Sequence, residues 1–183
     1  MKWALLGLVL LPAPFLIGAE PDRPPRQRTV PQLDVEKYLG KWYAVAGIPQ
    51  FFNRSCVWGN SAEYSLREDG RIDVLNSCYK EGGEETDVRA VAWIPDGSEP
   101  GKLKVSFVPL LGYRLFPADY WVIELGDDYD YAVVGHPNRS FGWILSRKPE
   151  MEEKKLQAIG DRLEEMGYDF SEFERNRQTP PEE

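Results

Sequence analysis

From residue 42 to residue 147 the chain alternates short runs rich in Val, Ile, Tyr, Phe and Trp with Gly, Pro, Asp and Asn at near-regular intervals. Runs of this length bounded by turn residues predict strands over 42–49, 57–66, 71–79, 87–95, 102–108, 119–125, 129–136 and 140–147. Most links between them are of hairpin length. Asp69-Gly70 supplies the positive φ that a tight hairpin demands, and Gly82-Gly83, Asp96-Gly97 and Gly126-Asp127-Asp128 punctuate the later runs in the same way. Eight successive strands joined like this predict an up-and-down antiparallel barrel rather than a sandwich. After Pro149 the period changes: Leu156, Ile159, Leu163 and Met166 recur at helical spacing among charged residues. That stripe predicts a helix near 150–166, lying against the outside of the barrel and ended by Gly167. The fold class is therefore all-β with one C-terminal helix.

The flanks carry no such pattern. Lys2, an apolar run from Trp3 to Leu11, the Pro12/Pro14 break and Phe15-Leu16-Ile17-Gly18-Ala19 predict a secretory signal peptide over 1–19. The run is short, and the prolines interrupt it, against the roughly 20 apolar residues of a spanning helix. Residues 20–32 read as a flexible Pro/Arg-rich arm, the barrel with its helix as 33–174, and 175–183 as a disordered tail. Leu16-Ile17-Gly18-Ala19 is similar to a bacterial lipoprotein signal box, with Ala19 where the lipid-modified Cys belongs. The expectation is a secreted or periplasmic protein, soluble after removal of the signal and without a lipid anchor.

Composition narrows what such a barrel is for. Large rings are 13% of the chain, which suits a hollow barrel that must be lined, and equally a solid aromatic core. Removing residues 1–19 takes away one charged side chain, Lys2, and moves the formal charge from -8 to -9. An acidic protein argues against nucleic acid as a partner. Arg23, Arg26 and Arg28 read as part of a solvated linker or as a basic binding patch. Cys56 and Cys78, once exported, pair most simply as a disulfide; the chain-entropy model gives about 3 kcal/mol for a loop of that length. The other reading, one catalytic thiol and a spare, needs a base near it, and the chain's one histidine is His136. No metal-ligand cluster, Ser–His–Asp set or phosphate-binding Gly loop stands out, so no catalytic residue, metal or cofactor is assigned.

Certain segments carry a more specific resemblance. They are Leu39-Gly40-Lys41-Trp42-Tyr43; Ala62-Glu63-Tyr64-Ser65-Leu66 with Asp69-Gly70; Leu103-Lys104-Val105-Ser106-Phe107; Asp130 to Pro137; and Trp143-Ile144-Leu145-Ser146-Arg147. In this order and spacing the chain resembles the lipocalin family, and within it the branch of bacterial lipocalins and apolipoprotein D, from about Val30 to Phe173. The resemblance implies an eight-stranded lipocalin barrel. It departs from the family pattern at Ala44 and Gly47, where relatives have Glu and Arg, at Tyr129 in place of Thr, and at Ala19.

With up-and-down topology, Gly40, Trp42 and Arg147 meet at one end of the barrel. There Arg147 is expected to stack on the Trp42 indole as a lid over a closed base, a structural role. The opposite, open end receives Cys56, Cys78 and the apolar loop Val108 to Pro117. That loop is a candidate to close over ligand, to touch a membrane transiently, to pair with a second copy, or to fold back as extra core. Strict register around Asp69-Gly70 sets Cys56 opposite a residue beyond Cys78, so pairing the two requires a bulge or a departing loop.

Because several strands are apolar on both faces, the inward face is not fixed by pattern alone. The resemblance favours Trp121 as a lining ring with Tyr64, Val105, Phe107 and Trp143, and Ile123 shares the face of Trp121. Tyr113, Arg114 and Phe116 belong to the rim, where Arg114 and Tyr113 can meet a carboxylate or phosphate head group. The function this implies is binding and carriage or storage of a small apolar or lipid-like ligand, a fatty acid or lysophospholipid, without catalysis. The alternatives are a lipid- or carotenoid-modifying enzyme and a protein-interaction module using the apolar mouth.

Overall fold

The computed structural model describes residues 26–110 and 113–182, and the side chains of these except at 108–110 and 113–115. The expected signal peptide over 1–19 lies outside the described residues.

A short helix α1 (Val35–Tyr38), capped by the Asp34 carboxylate accepting from the Lys37 amide, leads into the first strand. The strands are β1 (Gly40–Gly47), β2 (Trp58–Leu66), β3 (Ile72–Tyr79), β4 (Glu85–Trp93), β5 (Lys102–Ser106), β6 (Val108–Leu110), β7 (Tyr113–Leu115), β8 (Ala118–Leu125), β9 (Tyr131–Gly135), β10 (Gly142–Ser146) and β11 (Glu174–Arg175). Helix α2 (Glu153–Glu165) follows β10. Each barrel strand pairs antiparallel with its neighbour in the order β1-β2-β3-β4-β5-β8-β9-β10, and β10 pairs back onto β1. Closure removes the exposed sheet edges that an open sheet of eight strands would present. The expected apolar loop after β5 contains a small hairpin, β6 with β7, standing apart from the barrel sheet.

Two apolar clusters lie on opposite faces of this wall. The inner one gathers residues from all eight barrel strands, among them Trp42, Tyr64, Val74, Leu103, Val122 and Leu145. The outer one joins Val45, Ile123, Val133 and Ile144 to Leu156, Ile159 and Leu163 of α2. The helix is held there by polar contacts as well: Arg162 donates through Nε and Nη2 to Glu124 Oε1 (2.9 and 2.6 Å), which also accepts from the Tyr131 hydroxyl (2.6 Å).

Two segments expected to be loose make ordered contacts. In the arm assigned to 20–32, the Val30 amide donates to the Val122 carbonyl at 2.9 Å, and Gln27 is buried. In the tail assigned to 175–183, Arg175 pairs with Ala46, the Asn176 amide donates to the Val45 carbonyl (2.9 Å), and Gln178 Nε2 donates to the Ala44 carbonyl (2.7 Å). At both sites strand pairing stops short: β5 begins at Lys102, opposite Trp121, and β1 pairs with β2 only over Gly40–Tyr43, before the bulges at Ala44/Ala46 and Trp58/Ser61, so the backbone groups beyond those pairs need other partners.

Candidate functional site

One end of the barrel is closed by residues that fix each other. The Arg147 guanidinium lies 3.7 Å from the Trp42 ring centroid, and Trp42 Nε1 donates to the Tyr38 carbonyl at 2.8 Å. Arg147 itself donates to three backbone carbonyls, those of Lys41 (2.9 Å), Lys37 (2.6 Å) and Tyr129 (3.3 Å). Gly40 takes a φ of 86°, which turns the chain from α1 into β1 beneath this pair. Burial of the guanidinium pulls its pKa down, a shift opposed by the neighbouring phenols of Tyr38 and Tyr64.

Accessibility along the inward-facing columns of β4, β5 and β8 changes abruptly with height. On β4, Ala92 and Ala90 are 2% and 3% exposed, whereas Val88, two residues nearer the other end on the same face, is 51% exposed. On the β5 column, Leu103 and Val105 are 2% and 7% exposed and Phe107 is 44%. On β8, Val122 is fully buried, Tyr120 part-exposed and Ala118 exposed. Apolar side chains that face inward and are nonetheless reached by solvent line an open hollow. The lower half of the barrel is therefore packed solid, and its upper half is a cup opening away from Trp42.

Where the two halves meet, three tyrosines converge. The Tyr120 hydroxyl lies 2.8 Å from that of Tyr38 and 2.8 Å from that of Tyr64. Burial pushes the pKa of all three upward, that of Tyr64 to about 12, so each remains a neutral phenol at ordinary pH.

The rim of the cup is apolar. Phe51 and Phe52 in the loop after β1, Val57, and Phe116 after β7 are exposed, Phe116 to 85%. The Cys56–Cys78 disulfide ties that first loop to the end of β3, with the two Cα atoms 5.5 Å apart. The Trp58/Ser61 bulge, where Gly59 adopts a φ of 71° against the Tyr79 ring, shifts the β2–β3 register by one residue, and the loop departing before Trp58 does the rest: Cys56 lies in the turn after Phe51–Asn53, its amide donating to the Asn53 carbonyl (2.9 Å). With both cysteines in this bond, a thiol nucleophile is not available.

Of the expected lining residues, Tyr64, Val105 and Trp143 belong to the inner cluster, and Phe107 continues the Val105 column at the rim. Trp121 and Ile123 do not line the cup. Trp121 lies opposite Lys102, one residue out of phase with the inward Leu103–Tyr120 pair, and packs on the outside with Lys102 Nζ 4.9 Å from its ring. Ile123, two residues on, keeps the phase of Trp121 and lies outward beneath α2 as well; the Val122/Glu124 bulge changes the phase only after it. Phe116 stands at the rim, and the backbone of Tyr113 and Arg114 belongs to β7; their side chains lie outside the described ones. Sequence reasoning missed Tyr38, Tyr120 and Val88. The available signal was phase: Tyr120 and Val122 alternate with Trp121, and only the pairing partner tells which set faces in.

The family model described as a lipocalin-like domain matches residues 33–178. Among individual proteins, the chain is 38% identical over 155 residues to temperature-induced lipocalin-1 of Arabidopsis thaliana, covering 82% of this chain and 83% of that one. It is 38% identical to the outer membrane lipoprotein Blc of Vibrio cholerae over 148 residues (80% and 83% covered). To mouse apolipoprotein D it is 34% identical over 168 residues (87% and 82% covered). Among solved structures, insecticyanin of the tobacco hornworm superposes with a TM-score of 0.68 at 23% identity, covering 87% of this chain and 88% of that one, a likeness of fold alone.

Proposed function

Because the chain belongs to the lipocalin family, whose barrels bind small hydrophobic ligands, we propose that it carries or stores a lipid-like molecule in the upper half of its barrel, a fatty acid or lysophospholipid. The observation that carries this reading is the 51% exposure of Val88, an apolar side chain facing the barrel interior. Burying such surface under an acyl chain is worth roughly 25 cal/mol per Å² of apolar area removed from water. No catalytic role is assigned: the cup is lined by aliphatic and aromatic groups, and its phenols are held neutral by burial. The relative named as an apolipoprotein agrees with a lipid guest.

The disulfide fits an oxidising compartment, which supports a secreted or periplasmic setting. Exposed rings at Phe51, Phe52 and Phe116 support transient contact of the mouth with a lipid surface while the guest enters or leaves. A second copy seated on the same rings would instead appear as a dimer in light scattering.

The test is mass spectrometry of the organic extract from natively purified protein, followed by titration of the stripped protein with a fluorescent polyene fatty acid. A co-purified lipid and saturable uptake near one per chain are expected. An empty extract together with no uptake would overturn the reading.

A further inference from the structure

The tyrosines at the floor of the cup have one hydrogen too many. Three hydroxyls carry three protons, and the contacts Tyr38–Tyr120 and Tyr120–Tyr64 use two of them whichever way each points. One O–H is left with no acceptor among the described residues. It is held between the solid half and the hollow half, and the Tyr120 ring above it is part-exposed to the cup while Tyr38 and Tyr64 are buried. Once a guest displaces the solvent that reaches the cup, a donor left without a partner costs enough to shape what binds next to it.

We propose that this spare hydroxyl is the inner anchor of the guest: the barrel selects lipid-like molecules carrying a neutral hydrogen-bond acceptor, such as a ketone, ester, ether or hydroxyl oxygen, at the end that enters first. The inference rests on the reading of the barrel as a binding site and narrows it. A charged carboxylate does not suit the floor. A single neutral donor does not offset the desolvation of an anion, and the nearest guanidinium, that of Arg147, is turned to the carbonyls of Lys37, Lys41 and Tyr129. A plain hydrocarbon end leaves the proton unpartnered. Among fatty acids and lysophospholipids, those whose acyl chain is oxygenated at its leading end satisfy it, with the charged head left in water at the mouth.

Counting protons also says which substitutions matter. Tyr64→Phe leaves two hydroxyls and one contact between them, so one free O–H remains. Replacing Tyr38, Tyr64 and Tyr120 together by Phe keeps the rings and removes the donor altogether.

The experiment uses the folded, delipidated protein and measures displacement of a bound naphthylamine dye by 2-decanone and by decane, with an infrared spectrum of the bound ketone. In the triple Phe variant the affinity ratio of ketone to alkane should fall about five- to tenfold relative to wild type. In Tyr64→Phe it should stay within about twofold. The carbonyl stretch should lie at the hydrogen-bonded frequency on wild type and return to its value in alkane solution on the triple variant. If neither compound displaces the dye, the carrier reading itself falls. If both do, but the ratio is unchanged in the triple variant, the barrel still binds and the anchor is refuted. Should the triple variant not fold, the wild-type spectrum decides alone, since a free-carbonyl frequency there overturns the proposal.

Discussion

The two halves of this barrel are made of the same eight strands, and they do opposite things with their inward side chains. Below the tyrosine cluster, Trp42, Leu103, Val122 and Leu145 fill the interior, and Arg147 seals it. Above it, Val88 and Phe107 face the same interior and stay open to solvent. Residue type does not separate the halves, since both are apolar. What separates them is filling: the lower half receives a large indole, three phenols and the Leu33–Tyr38 segment, and the upper half receives nothing comparable from the wall. Stability is concentrated at one end and capacity at the other.

This contrast can be broken from the solid end with the largest effect. Trp42→Ala should destabilise the fold by about 3–5 kcal/mol in chemical denaturation, because a fully buried indole leaves a cavity and strands Arg147. Next in size is the open end's one covalent tie. Replacing Cys56 and Cys78 together by Ser should cost about 3 kcal/mol and loosen the loop carrying Phe51 and Phe52, seen as faster amide exchange there than around Trp42.

The tyrosine boundary gives a pH test. For Tyr64 the folded pKa, about 12, exceeds the unfolded value of 10.0, so above pH 10 the unfolded chain loses a proton that the folded one keeps. Its contribution is complete below pH 10 and is lost as pH rises through 12, amounting to roughly 2–3 kcal/mol for a two-unit shift. Thermal melts should be steady on the neutral side of pH 10 and fall steeply above it, and Tyr64→Phe should flatten that fall. The smallest effect belongs to the hollow. Val88→Ala should change stability by less than about 1 kcal/mol while weakening uptake of a fluorescent fatty acid, whereas Leu103→Ala on the solid side should cost about 2–5 kcal/mol. Equal losses at the two sites would show that the upper half is packed like the lower.

Much of this architecture was readable in one dimension. Runs of β-branched and aromatic residues bounded by turns such as Asp-Gly predicted strands that differ from those observed by a few residues at their ends, and the Leu156–Ile159–Leu163 stripe predicted a helix on the outer wall. Motif order placed Trp42 with Arg147, and compartment placed Cys56 with Cys78. Alternation is a relative signal: it says that Trp121 and Ile123 share a face, and it leaves open which face when both are apolar. Pairing of Leu103 with Tyr120 settled the phase of β8, and with it that of both Trp121 and Ile123.

The sequence by itself determined the strand count, the closed end and the staple at the mouth, because each is written in local periodicity, turn chemistry or residue type. Only the tertiary structure decided which side of β8 faces the guest, that residues of the arm and tail bond to the bulged strands, and that Tyr38, Tyr64 and Tyr120 meet. These depend on register between strands distant in the chain. A slip of one residue there exchanges the inside of the barrel for the outside, with no change in the pattern along any single strand.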